Sequence, residues 1–180
     1  VAMVKEAMQS GIAGCIPALN YRTLEELRAA IKELKASKPE GGAFGFNLIV
    51  NKSNPKAKAQ LEVLCEEGCD FILTSLGNPK ETIEEAHKVG IKVFCDITDL
   101  RFAQKVESLG ADAVVAVNNQ AGGHRGNISP EQLISCISFR YISDALTANQ
   151  AIKILEEKSK DKQNRKRDLL KNGYPAYTTS

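Results

Sequence analysis

The side chain best suited to chemistry in this 180-residue chain is His124, one of only two histidines. It lies in Gln120-Ala121-Gly122-Gly123-His124-Arg125-Gly126, directly after the apolar run ADAVVAV. An imidazole titrates close enough to neutrality to take and return a proton. Paired glycines let backbone N–H groups approach a flat or anionic ligand. The loop is therefore read as functional rather than as a plain flexible turn. Asn47 interrupts the apolar run FGFNLIV, and a buried amide needs partners either in the fold or in a ligand. Asp96, near the end of IKVFCDI, is either an active-face carboxylate or a local turn former beside Thr98. His87 differs from His124: it ends the helical segment ETIEEAHKVG, where a cationic ring is favoured by the helix dipole, and it is read as structural.

The elements that must position these groups follow from a phrase that recurs from residue 11 onward. A glycine leads a short apolar run, then come a turn with a capping residue and an amphipathic charged segment. The runs are GIAGCIPA (11–18), GAFGFNLIV (42–50), CDFILTSL (69–76), IKVFCDI (91–97) and ADAVVAV (111–117). They are too short for helices, and their near-continuous hydrophobicity suits parallel strands covered on both faces. Thr23 with Glu26 predicts a capping box for LEELRAAIKELKA. Asn54-Pro55 and Asn78-Pro79 are expected to set a capping side chain before a proline at the first helical position, and Thr98 to cap the next helix. Gly68, Gly90 and Gly110 stand where a left-handed residue ends a helix. Repeated strand–helix units leave two architectures, an open doubly wound sheet or a (β/α)8 barrel. In either one the His124 loop lies at the carboxyl ends of the strands, where ligands bind.

Composition narrows the class. With 43% hydrophobic and 26% charged residues the chain is an ordinary globular one. Its 24 basic and 22 acidic side chains leave a net charge of +2, which gives no field for gripping nucleic acid or an anionic membrane. No apolar stretch is long enough to span a membrane, and VAMVKEAMQS lacks a signal-peptide profile, so a cytoplasmic protein is expected. Five cysteines without C-x-x-C spacing are read as structural thiols, and no metal site is expected. Beyond residue 128 the rhythm changes. Ser129 with Gln132 and Thr147 with Gln150 each start a helix, a solvated charged stretch follows, and YPAYTTS is strand-like.

IPALNYRTLEELRAAIKEL, GFNLIVNKSN and above all AGGHRG resemble the nitronate monooxygenase family, formerly called 2-nitropropane dioxygenases, over about residues 1–128. The resemblance implies a flavoprotein of TIM-barrel fold that uses FMN to oxidise alkyl nitronates, a small-molecule substrate. It makes His124 the active-site residue that acts as base toward a nitroalkane or orients the nitronate. Gly122 and Gly123 match backbone positions beside FMN, and Asn47 matches the cofactor-contacting Asn of the third barrel strand. Val117 stands where many members carry Gln or Glu. The family's first strand and its phosphate-holding loops after strands seven and eight have no counterpart here. FRYISDALT and GYPAYTTS, within residues 129–180, instead resemble the L-fuconate dehydratases of the enolase superfamily, although none of their catalytic residues carries over.

The expectation is thus an α/β chain: an incomplete (β/α)8 barrel, strands two to six, over residues 1–128, with a helical C-terminal tail over 129–180 that ends in a strand-like segment. Its expected function is FMN-dependent nitronate oxidation, with neither nucleic acid nor membrane as partner and a homo-oligomer suited to open barrel edges. The alternatives are a non-catalytic chimeric or truncated scaffold, and a fragment of a sugar-acid dehydratase.

Overall fold

Each apolar run becomes a strand and each amphipathic segment a helix. In chain order these are α1 (Ala2–Gln9), β1 (Gly14–Pro17), a 3-10 turn (Ala18–Asn20), α2 (Leu24–Ala36), β2 (Phe44–Val50), α3 (Ala57–Glu67), β3 (Phe71–Gly77), α4 (Lys80–Lys88), β4 (Lys92–Ile97), α5 (Leu100–Ser108) and β5 (Ala113–Ala116). The computed structural model describes residues 1–123 and 125–135. His124, the helix expected from Thr147 and the YPAYTTS segment lie outside the described residues. The chain divides into two units, Val1–Leu133 and Ile134–Ser180, and the first holds all of these elements. Among the described residues no helix is long and apolar enough to cross a membrane.

All five strands are parallel and lie side by side in the order β1-β2-β3-β4-β5. A doubly wound sheet reverses its strand order at a switch point. Here each strand instead adds beside its predecessor, as consecutive strands of a (β/α)8 barrel do, and the sheet is not closed. The side-chain alternation of the strands divides the two faces. Phe46, Leu48, Ile72, Val93, Cys95 and Ile97 are buried, as are the helix stripes Leu27, Ile31, Leu34 and Leu61, Leu64. Burying each such side chain contributes roughly 1.5–3 kcal/mol. The alternate residues Asn47, Ile49, Leu73, Ser75, Phe94 and Asp96 are only half-buried and form the concave side. Phe71 stacks on Phe94 there with ring centroids 4.9 Å apart, and only glycine fits at position 45, since a Cβ would stand 2.4 Å from the Phe71 carbonyl oxygen.

The caps show where local reading succeeds and where it fails. Thr23 and Glu26 form the expected capping box, and Gly68, Gly90 and Gly110 all take positive φ behind their helices. Asn54 does not cap α3. It is buried, and its amide donates to the Ile49 carbonyl and to Gln60 Oε1, both at 3.0 Å, so it stitches the loop to the helix instead. Pro79 precedes α4 as its N-cap residue rather than its first helical one, with Asn78 Oδ1 accepting from the Lys80 N–H at 3.2 Å. Asp99, not Thr98, caps α5, its carboxylate accepting from the Phe102 N–H at 3.0 Å. A carboxylate outcompetes a hydroxyl one residue away because its hydrogen bond is charge-assisted.

A repeated device fastens the amino ends of the strands. Asp70, just before β3, accepts the Phe44 N–H of β2 at 2.8 Å and pairs with Lys38. Asp112, just before β5, accepts the Val93 N–H of β4 at 2.8 Å, and also Lys92 Nζ at 2.8 Å. His87 Nε2 lies 2.8 Å from the same carboxylate, which gives this histidine the structural place expected of it.

Candidate functional site

At the opposite end of the sheet, where β2, β3 and β4 finish, a cavity of about 490 Å³ opens. That size lies within the roughly 300–1,000 Å³ usual for small-molecule sites. Asn47, Ser75, Asp96, Lys105 and Arg125, with the hydroxyl residues Thr74 and Thr98, give it its polar groups.

Parallel pairing sets Asn47 opposite Leu73 and Ile49 opposite Ser75, which brings the Asn47 amide beside the exit of β3. Its nitrogen donates to the Leu73 carbonyl at 3.2 Å and to Ser75 Oγ at 2.6 Å. A carbonyl only accepts, so Leu73 fixes which end of the amide faces the sheet. Ser75 then donates its own proton to Asp96 Oδ2 at 2.6 Å. The chain Asn47→Ser75→Asp96 thus has one sense across three adjacent strands. Both amide hydrogens of Asn47 are committed, which leaves its carbonyl oxygen without a partner among the described residues. The second carboxylate oxygen of Asp96 likewise has no partner among the described residues. Burial raises the pKa of Asp96 above the usual carboxylate value, and the Ser75 hydrogen bond offsets only part of that rise.

The described thiols are inert by the same physics. Burial and the nearby Asp96 charge push Cys15 up to about 11, and burial takes Cys69 up to about 12. Such thiols stay protonated at neutral pH and behave as small hydrophobes. Cys15, Cys65, Cys69 and Cys95 are all free.

The exit of β3 is irregular. The β2–β3 register slips between Ile49 and Val50, and Leu76 adopts φ +56° just before Gly77 at φ +102°. Leu76 lines the mouth of the cavity and is partly exposed. A left-handed non-glycine residue costs about 1–2 kcal/mol, and such outliers cluster at ligand sites.

The loop after β5 folds back on its own strand. The Gly126 N–H donates to the Asn118 carbonyl at 3.1 Å, and the Asn119 N–H to the Ile128 carbonyl at 2.9 Å. Gly126 has no room for a side chain, since a Cβ would stand 2.4 Å from the Val117 carbonyl oxygen. This close approach carries Arg125 to the cavity wall, which Val117 also lines. Gly122 and Gly123 lie in the exposed part of the same loop, where a Cβ at either would meet nothing within 4 Å.

A sequence model of the nitronate monooxygenase family matches residues 4–148. The chain belongs to that family. The match runs past residue 128 into the stretch that resembles the dehydratases. A nitronate monooxygenase of Paraburkholderia phytofirmans is 39% identical over 74 residues, which cover 41% of this chain and 20% of that protein. The structure of FabK from Thermotoga maritima superposes with a TM-score of 0.69 at 30% identity, over 76% of this chain and 42% of the other. A 54-residue stretch is 52% identical to mitochondrial enolase superfamily member 1 of Xenopus laevis, covering 30% of this chain and 12% of that protein. The chain therefore spans less than half the length of each of these relatives.

Within this nitronate monooxygenase-family fold, one expected site residue, Asn47, stands in the cavity wall, and Gly122 and Gly123 stand in the loop that delivers Arg125. His124 falls between Gly123 and Arg125 in sequence and lies outside the described residues. Ser75, Lys105 and Arg125 were not singled out in the sequence. The one available signal was Ser75 itself, a hydroxyl near the end of an otherwise apolar strand.

Proposed function

We propose that the cavity at the carboxyl ends of β2, β3 and β4 is part of an FMN-dependent site that oxidises alkyl nitronates. The hydrogen-bonded chain Asn47→Ser75→Asp96 carries this reading, because it presents two fixed acceptors to one pocket. The residues present fit FMN in polarity and size. The Asn47 carbonyl oxygen and the free Asp96 oxygen suit the N–H and O–H donors of a flavin and its ribityl chain. Lys105 and Arg125 supply positive charge for an anionic group. FMN, when bound, supplies the redox chemistry, and the family membership supports its choice.

The protein's own share is positioning. Asn47 and Ser75 hold acceptors rigidly, Leu76 and Phe102 give the pocket apolar wall, and the two cations favour a nitronate over its neutral parent. His124, next to Gly123, is proposed as the residue that orients the nitronate or exchanges its proton. A small-molecule substrate, a cytoplasmic location and a homo-oligomer complete the reading.

The test is direct. Purified protein titrated with FMN is expected to quench flavin fluorescence, and His124→Ala is expected to lose nitronate oxidation while keeping the flavin. Protein that binds no added FMN refutes the proposal.

A further inference from the structure

The cavity does not stop at the concave side of the sheet. Side chains alternate along a strand, so Thr74 and Cys95, paired across β3 and β4, face away from Ser75 and Asp96. Thr74 and Cys95 are buried, yet all four residues line the same cavity. Phe102, Lys105 and Val106 line it too, and their spacing of three and four puts them on one face of α5. The cavity of about 490 Å³ therefore has two lobes, one on the concave side and one between the sheet and α5.

The backbone at the exit of β3 leaves room for this second lobe. Gly77 pairs with Val50, and a Cβ at Gly77 would stand 2.9 Å from the Val50 carbonyl oxygen. Together with the left-handed Leu76, this close approach draws the end of β3 onto β2 rather than toward α5. Leu76, Pro79, Phe102 and Val106 give the lobe apolar walls. On its floor the Thr74 hydroxyl is spent on the Phe94 carbonyl at 3.4 Å, and burial keeps the Cys95 thiol protonated. Leu76 and Phe102 are each 46% exposed, so an apolar chain laid along the lobe would remove surface of both from water. Lys105 from α5 and Arg125 from the loop after β5 supply the cavity's cations among the described residues.

We infer that the lobe under α5 is a subsite for the alkyl chain of the substrate, and that Phe102 sets a preference for long chains over short ones. The inference rests on the nitronate reading above and deepens it by naming chain length as what the site selects. The anionic head stays with the cations, while each methylene that enters the lobe leaves water. Full burial of one methylene corresponds to about a fourfold gain in affinity. The lobe draws on neither the Asn47 nor the Asp96 acceptor, so both remain for the flavin.

Unbranched carboxylates from propanoate to heptanoate probe the lobe, since they carry a planar anionic head of two oxygens, as a nitronate does, and do not react with a flavin. Their affinities for the full chain are measured by isothermal titration calorimetry, first without FMN and then with FMN bound. The wild-type protein is expected to bind about threefold more tightly for each added methylene under both conditions. Phe102→Ala is expected to weaken heptanoate about tenfold and propanoate less than twofold, and Phe102→Leu to restore most of the loss. The wild-type series decides the matter if the alanine variant does not fold. A flat wild-type series, or an equal loss for short and long acids in Phe102→Ala, overturns the inference. So does a gradient that vanishes once FMN is bound, because the flavin then fills the lobe. Failure to bind FMN at all refutes the flavin reading alone and leaves the FMN-free series to decide this one.

Discussion

The two ends of the sheet use the same side chain for opposite purposes. At the amino end Asp112 takes three donors, the Val93 N–H, Lys92 Nζ and His87 Nε2. At the carboxyl end Asp96 takes one among the described residues, from Ser75. Burial opposes ionisation of both. Saturation by donors overrides it for Asp112 and holds that carboxyl at about 2, while Asp96 stays raised. A saturated carboxylate stabilises the fold and has nothing left to offer a ligand. An undersaturated one stabilises less and keeps an oxygen for chemistry. The count of donors around an Asp therefore separates structure from function here more clearly than its burial does.

Substitutions sharpen the contrast. The largest loss of stability is expected from Gly126→Val, whose Cβ would meet the Val117 carbonyl. About 3 kcal/mol of lost stability by urea denaturation, with weaker FMN binding as Arg125 moves, is the expected result. Next comes Asp112→Ala, which strands the Val93 N–H and is expected to cost about 2 kcal/mol in the same assay while FMN affinity stays unchanged. Asp96→Asn should show the reverse pattern, with a change within about 0.5 kcal/mol in stability and a loss of cavity chemistry. If both variants affect stability alike, the proposed division between the two ends is wrong.

The pH dependence distinguishes them further. The folded-state pKa of Asp112 is depressed to about 2 from an ordinary 3.8. Its contribution is therefore fully present above the unfolded value and is lost as pH falls from about 3.8 toward 2. Discounted for the exposed Lys92 partner, that window is worth about 1 kcal/mol. Acid titration of stability should lose this segment in Asp112→Asn. The smallest effect is expected at the exit of β3, where Leu76→Gly relieves the left-handed backbone and should raise stability by about 0.5–1 kcal/mol.

The five strands were legible because a buried parallel strand must be apolar almost throughout, and because a left-handed glycine stands between the helix and the strand ahead of β3, β4 and β5. Asn47 was legible because an amide in such a run has to be explained. The clamps at Asp70 and Asp112 were not, since each bonds to an N–H of the preceding strand, and no local pattern links Asp70 to Phe44 or Asp112 to Val93. Asn54 and Thr98 misled for a related reason. Both have the right chemistry for a cap, but the first spends its oxygen on the Lys56 N–H ahead of the helix, and a neighbouring carboxylate displaced the second. The slip of register beside Leu76 depends on how β2 and β3 meet, which nothing in either strand announces.

The central claim is that the acceptors at the carboxyl ends belong to a flavin site. Fluorescence titration of FMN into wild-type protein and Asn47→Ala tests it most directly. The account predicts saturable binding by the wild type and about tenfold weaker binding by the variant, the equivalent of one good hydrogen bond. Equal affinity in the two proteins, or no binding by either, would contradict it.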